Sequence, residues 1–358
     1  MAAIDGLLHR MKDAEASDLH LKSGARPRFR IRGYLADVEG TAPFTREQVG
    51  SMTREILTEE QDRYYREKGE IDFAYGDLKS GRFRCNFFQD HNGPAASFRR
   101  LPIQIPTIKD LNLPPVLESF IHLRSGLVLV TGPTGSGKTS TLAALLDLIN
   151  TQYRKHIITL EDPIEYLHPN KRSVVHQRGL HYDITDFASG VRAALREDPD
   201  ILLIGEMRDL ETIRLALTAA EVGCITFATL HTNGASQTVD RIIDVFPADE
   251  QHQVRAMLSQ SLGGVVSQVL LRRVDKEGRV PATEVLIGNP AVSNLIRENK
   301  VQEMTSVIQA GKGQGMHTID ESLMSLVARK MVDPEEAFSY ADNKGWFEQF
   351  LPLSRSED

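Results

Sequence analysis

Between Leu127 and Ile149 the chain reads LVLVTGPTGSGKTSTLAALLDLI, and no other stretch narrows the possible folds as far. Leu127–Thr131 is an unbroken apolar run, the pattern of a strand buried on both faces. Behind it Leu142, Leu145, Leu146 and Ile149 recur at helical spacing. The turn between them, Gly132, Pro133, Thr134, Gly135, Ser136, Gly137, Lys138 and Thr139, followed by Ser140, matches G-x₄-G-K-[ST]. Its glycines let successive N–H groups converge on one concavity at the positive end of a helix, which suits phosphate. Lys138 is expected at the β- and γ-phosphates of ATP, and Thr139 is expected to place its hydroxyl on Mg²⁺.

Three more apolar runs end in polar residues: IITLEDPIEY, DPDILLIGEMRD and FATLHTNGAS. In an open parallel sheet, residues just past the strand ends border the ligand crevice. Glu206 is therefore expected to orient and activate water, or to reach Mg²⁺ through water. Glu161, Asp162 and Glu165 offer further carboxylates for ordering metal and water, Glu161 again through a water. His231 is placed to sense the γ-phosphate. After position 245, QHQVRAMLSQSLGGVVSQVLL and TIDESLMSLVARKM read as helices broken by Gly and Pro. The region from 116 to 358 thus reads as a doubly wound α/β domain with a helical C-terminal part.

The first hundred residues have a different texture. RPRFRIRGYL sets Arg26, Arg28, Arg30 and Arg32 on one side of a strand, read as a solvated face. GRFRCNFF sets Arg82, Arg84 and Asn86 opposite Phe83, Cys85 and Phe87. Ile4, Leu7, Leu8 and Met11 predict an amphipathic helix, and REQVGSMTREILTEEQDRYYREKG is charged and helix-like. A small α+β domain over 1–100 follows, joined through a proline-rich linker over 101–115.

Composition excludes several classes. No apolar run approaches the roughly 18 residues of a membrane span. Two cysteines, Cys85 and Cys224, argue for a reducing compartment, and they cannot make a four-cysteine zinc site. A net charge of −7 with 6% aromatic residues disfavours a nucleic-acid motor, which wants a basic, aromatic-bearing channel. A guanine switch would want N-K-x-D, and both Asn170-Lys171 and Asn343-Lys344 lack the Asp.

The four segments GPTGSGKTS, ITLEDPIEY, DPDILLIGEMRD and FATLHTNGAS, in this order, resemble the secretion ATPase superfamily, and most of all its retraction-type pilus motors. The likeness runs from ASDLHL through RFRCN to GMHTIDESL. It implies a PAS-like N-terminal domain, a RecA-like ATPase domain, ATP and Mg²⁺ as cofactors, and a homohexameric ring. It names Glu206 as catalytic glutamate and makes Arg82 and Arg84 arginine fingers, worth about 10³–10⁵ in rate where such residues act. The implied partners are an inner-membrane platform protein and other pilus motor ATPases, at the cytoplasmic face of that membrane, with no nucleic acid. An accessory retraction paralogue and an assembly or type II secretion ATPase are the alternatives. The assembly type usually carries a longer N-terminal region and four zinc-binding cysteines. Two positions depart from the family pattern: Cys224 stands where a first His-box histidine is common, and Ser293 replaces an arginine in AVSNLI.

Overall fold

In the computed structural model, which describes residues 2–77, 81–180 and 182–350, the chain divides into two units. One comprises Met1–Gln104 with Pro163–Leu167, the other Ile105–Asp162 with His168–Asp358.

The first unit is built on strands β1 (Asp18–Lys22), β2 (Arg28–Ile31), β3 (Tyr34–Asp37), β4 (Glu70–Asp77), β5 (Gly81–Asp90) and β6 (Gly93–Leu101). They form an antiparallel sheet in the order β3-β2-β1-β6-β5-β4. Alternation along β5 sends Phe83, Cys85 and Phe87 into the core, where Phe87 meets Phe73 and Phe98 edge-on at 5.0 and 5.6 Å. Helix α1 (Asp5–Asp13) buries Leu7, Leu8 and Met11. The charged stretch splits into α2 (Arg46–Arg54) and α3 (Glu59–Lys68), because Thr45 and Thr58 each open a capping box, with Gln48 and Gln61. The arginine row is shorter than its spacing predicts. Strand β2 spans Arg28–Ile31, and Arg32-Gly33 turn the hairpin at φ 49° and 88° with Ile31 opposite Tyr34. Arg26, Arg28 and Arg32 are exposed, so the solvated reading of this face holds.

The second unit carries β7 (Gly126–Thr131), β8 (His156–Glu161), β9 (Val174–Gly179), β10 (Ile201–Ile204), β11 (Ile225–Leu230), β12 (Leu262–Arg272) and β13 (Arg279–Ile287). Their order is β13-β12-β7-β11-β10-β8-β9, parallel throughout except for β13 against β12. Along β7, Leu127 and Leu129 enter one core while Val128 and Val130 enter another. Helices α5 (Phe187–Ala194), α6 (Leu210–Glu221), α7 (Ala235–Asp244) and α8 (Gln251–Ser261) cover the first face through Val191, Leu217, Val239 and Leu258. Helix α4 (Lys138–Gln152) and the 3₁₀ turn Pro115–His122 cover the second through Leu145, Ile149 and Phe120. Burial on both faces is what requires apolar runs without alternation.

The reading of QHQVRAMLSQSLGGVVSQVLL as helix holds only for α8. From Leu262 the chain is strand β12, where Val265, Val266 and Val269 favour extended backbone and Gly264 admits Phe120. The C-terminal part then runs through α9 (Pro290–Arg297), α10 (Met304–Ala310), α11 (Ile319–Ala328) and α12 (Pro334–Tyr340). Phe347 is fully buried with Leu271, Val280 and Leu323, while Trp346 and Phe350 are exposed; 351–358 lie outside the described residues. Among the described residues, no helix is long and apolar enough to cross a membrane.

Candidate nucleotide and catalytic site

Parallel pairing sets the ends of β7, β11, β10 and β8 side by side. Thr131 lies beside Leu230, and Ile204 beside both Ala228 and Leu160. The residues that follow, Gly132, His231, Gly205-Glu206 and Glu161, therefore share one edge of the sheet.

The loop after β7 depends on its glycines. Gly132 has φ 136°, and a Cβ there would lie 2.1 Å from the Gln268 carbonyl oxygen. Gln268, buried on β12, donates from Nε2 to the Ser136 carbonyl at 2.6 Å and accepts from Thr141 Oγ1 at 2.9 Å. The Ser136 hydroxyl is buried with no hydrogen-bond partner. Lys138 Nζ donates to the carbonyls of Gly132 at 2.7 Å and Pro133 at 3.0 Å. Burial lowers the Lys138 pKa, opposed by the field of Glu206. An orphaned hydroxyl and an ammonium held on main-chain oxygens at a helix start are the chemistry of an anion cradle. Thr139 and Ser140 lie in the first turn of α4.

Glu206 sits in the turn between β10 and α6, which Asp209 closes by accepting the Thr212 amide at 2.8 Å. One Glu206 oxygen is 3.1 Å from His231 Nε2, and the other accepts from Arg208 Nη2 at 2.7 Å. The Arg208 hydrogen bond holds the Glu206 carboxyl below its ordinary pKa, although partial burial opposes this. Asp162, exposed on the loop after β8, adds its field to Arg208. Glu161 is buried, with one oxygen accepting from Thr159 Oγ1 at 2.7 Å and Gln177 Nε2 at 3.0 Å.

Glu165 belongs to the first unit, as do Arg82 and Arg84. Arg82 is buried and donates to the carbonyls of Glu165 at 2.7 Å and Ile164 at 2.8 Å. Arg84 grips Asp72 through two nitrogens, the shorter bond being 2.6 Å. Both arginines face away from the Phe83–Phe87 core, as their alternation predicts.

The substitution at Cys224 falls away from this edge. Cys224 precedes β11 whereas His231 follows it, so about 23 Å separate the two at ~3.3 Å per residue. Ser293 and Asn294 lie on α9, where Asn294 donates to Glu298 at 3.0 Å. Sequence reasoning passed over Arg208 and Gln268. Arg208 was findable, two residues past Glu206 in GEMRD; Gln268 was hidden by the helical reading of its strand.

Among the described residues, no three His, Cys, Asp or Glu side chains cluster as a metal cage. The donors present still fit Mg²⁺, which usually keeps several waters and takes phosphate oxygens plus one or two protein groups. Thr139 would hold it directly, with Glu206 and Glu161 reaching it through water.

A parallel sheet with a P-loop at one strand end, and an acid–histidine pair at the neighbouring ends, defines a P-loop nucleoside-triphosphate-binding protein. More narrowly, the chain belongs to the type II/IV secretion system protein family, whose match covers residues 2–338. It is 48% identical to the type IV pilus retraction ATPase PilT of Pseudomonas aeruginosa over 90% of this chain and 93% of that one. The type IV pilus ATPase PilU of the same organism is 35% identical over 98% and 92%. A crystal structure of the pilus retraction motor PilT with bound ADP superposes with a TM-score of 0.90, at 42% identity, covering 97% of this chain and 99% of that chain.

Proposed function

We propose that this protein is an ATP-hydrolysing motor that powers retraction of type IV pili, drawing pilin back toward the inner membrane. The observation that carries the ATPase reading is Glu206, bonded to His231 and Arg208 on the same strand-end edge as the P-loop. Similarity to PilT, stronger than that to PilU, favours a principal retraction motor over an accessory one.

In this reading the loop amides of Gly132–Thr139 receive the phosphates, and the Ser136 hydroxyl gains the partner it lacks. Lys138 exchanges its bonds to the Gly132 and Pro133 carbonyls for phosphate oxygens. Thr139 would hold Mg²⁺, which when bound would supply charge neutralisation at the β- and γ-phosphates. Glu206, ionised at neutral pH, orients the attacking water, and His231 links that carboxylate to the presence of the γ-phosphate. Arg82 and Arg84 are the candidates for stabilising transition-state charge, which requires exchanging their present bonds to main-chain carbonyls and to Asp72. Glu161, Asp162 and Glu165 order water and metal, and Ser140 continues the cradle. The working form is a homohexamer at the cytoplasmic face of the inner membrane, acting on a membrane platform protein alongside other pilus ATPases.

Two measurements test this. Glu206→Gln should bind ATP normally and lose at least about 100-fold in turnover, the scale of general-base loss; wild-type turnover removes Glu206 from its role. Deleting the gene in its host should leave abundant, immobile surface pili. Loss of pili would instead indicate an assembly motor.

A further inference from the structure

Helix α7 begins just past His231 and lacks a cap of its own. Its N-cap residue is Gly234, at φ 88°, with no side chain to accept the first amides. The acceptors come from the two strands on the other side of β7 from β11. Ser267 Oγ on β12 accepts the Gly234 N–H, and Glu284 Oε1 on β13 accepts the Ala235 N–H, each at 2.8 Å. Ser267 and Glu284 stand directly opposite each other in the β12–β13 ladder, so the two acceptors form one fixed unit. Glu284 is 8% exposed. A buried carboxylate is costly unless it is bonded, and here the start of α7 supplies a bond.

The loop that these residues hold is short. His231, Thr232 and Asn233 connect the end of β11 to Gly234. Thr232 and Thr238 share a hydroxyl bond of 2.8 Å, and Thr238 Oγ1 donates to the Gly234 carbonyl at 2.7 Å. His231 thus hangs between a strand end fixed by the sheet and a helix start fixed by Ser267 and Glu284.

We propose that Glu284, with Ser267 beside it, is a positioning residue for hydrolysis: it caps α7 and so fixes His231 against Glu206. The inference rests on the ATPase reading above. It adds a function for a buried acid outside every motif of the nucleotide site.

Two readouts on the full-length protein test it, one independent of turnover. In Glu284→Ala, hydrogen exchange of the peptide spanning 231–238 should speed by about tenfold or more without nucleotide, while peptides of β7 and α4 stay unchanged. In the same variant kcat should fall about tenfold, on the scale of a misplaced catalytic group, with KM for ATP within about twofold. In a His231→Ala background the added fall should be under about twofold, because both changes act on one element. Glu284→Gln, which keeps one acceptor oxygen, should recover part of both losses, and Ser267→Ala should show the same pattern more weakly should Glu284→Ala fold poorly. Unchanged exchange at 231–238, or equal losses of kcat in both backgrounds, overturns the proposal. Faster exchange at 231–238 with full turnover in His231→Ala would instead strike the role given to His231.

Discussion

Glu206 takes two bonds that differ in kind. Arg208 keeps its charge at any working pH, and its hydrogen bond is the largest cause of the depressed Glu206 pKa. A lowered pKa keeps the carboxylate ionised, and able to orient water, further into acid. Removing the guanidinium removes the largest lowering effect and leaves partial burial, which raises the pKa, against the smaller lowering by His231. Arg208→Ala should therefore move the acid limb of the pH profile of kcat/KM for ATP to higher pH, with little change at alkaline pH. An acid limb that stays in place would show that Arg208 does not tune Glu206. The two thiols give a contrasting case. Burial pushes Cys224 up to about 12 and raises Cys85 well above its ordinary value, so neither is a nucleophile in the folded chain. Iodoacetamide at neutral pH should leave both unmodified in the native protein and alkylate both in denaturant. Modification of native Cys224 would mean that the start of β11 opens.

At the scale of elements, four strands were legible because each is buried on both faces and ends in a polar residue. Apolar runs closed by Gly132, Glu161, Gly205-Glu206 and His231 encode the buried strand and its exposed chemical end together. Strand β12 was not legible, since SQSLGGVVSQVLL runs on from α8 with a period that suits a helix as well as a strand. What decides the matter there is its place beside β7, a long-range fact that local pattern does not carry. The cost of the misreading was Gln268, whose side chain braces the P-loop from behind. Gln268→Leu strands the Ser136 carbonyl and the Thr141 hydroxyl, each buried, at about 1–3 kcal/mol for every group left unpaired. It should lower the denaturant midpoint and weaken nucleotide binding together. Unchanged ATP affinity would mean that the loop holds its shape through its glycines alone. Glu284 was missed for a related reason. It caps a helix 49 residues earlier in the chain, so no local signature marks it.

For the whole molecule, the informative question is whether sites in the proposed ring fire independently. Each chain supplies a complete P-loop, Glu206 and His231 from one unit, while Arg82 and Arg84 belong to the other. A motor that works against load gains from coupled sites, because closure at one can be resisted or assisted by its neighbours. Mixing Glu206→Gln with wild-type subunits separates the cases, since that variant changes one exposed-edge atom pair and leaves the core intact. With independent sites, an equal mixture keeps about half the wild-type activity. With six strictly coupled sites only unmixed rings turn over, and an equal mixture keeps about 2%. Subunits must be exchanged under dissociating conditions before the assay, with size measured afterwards to show that rings re-formed. We expect a fall well below proportionality. A straight line against mutant fraction would mean that the sites turn over independently of one another.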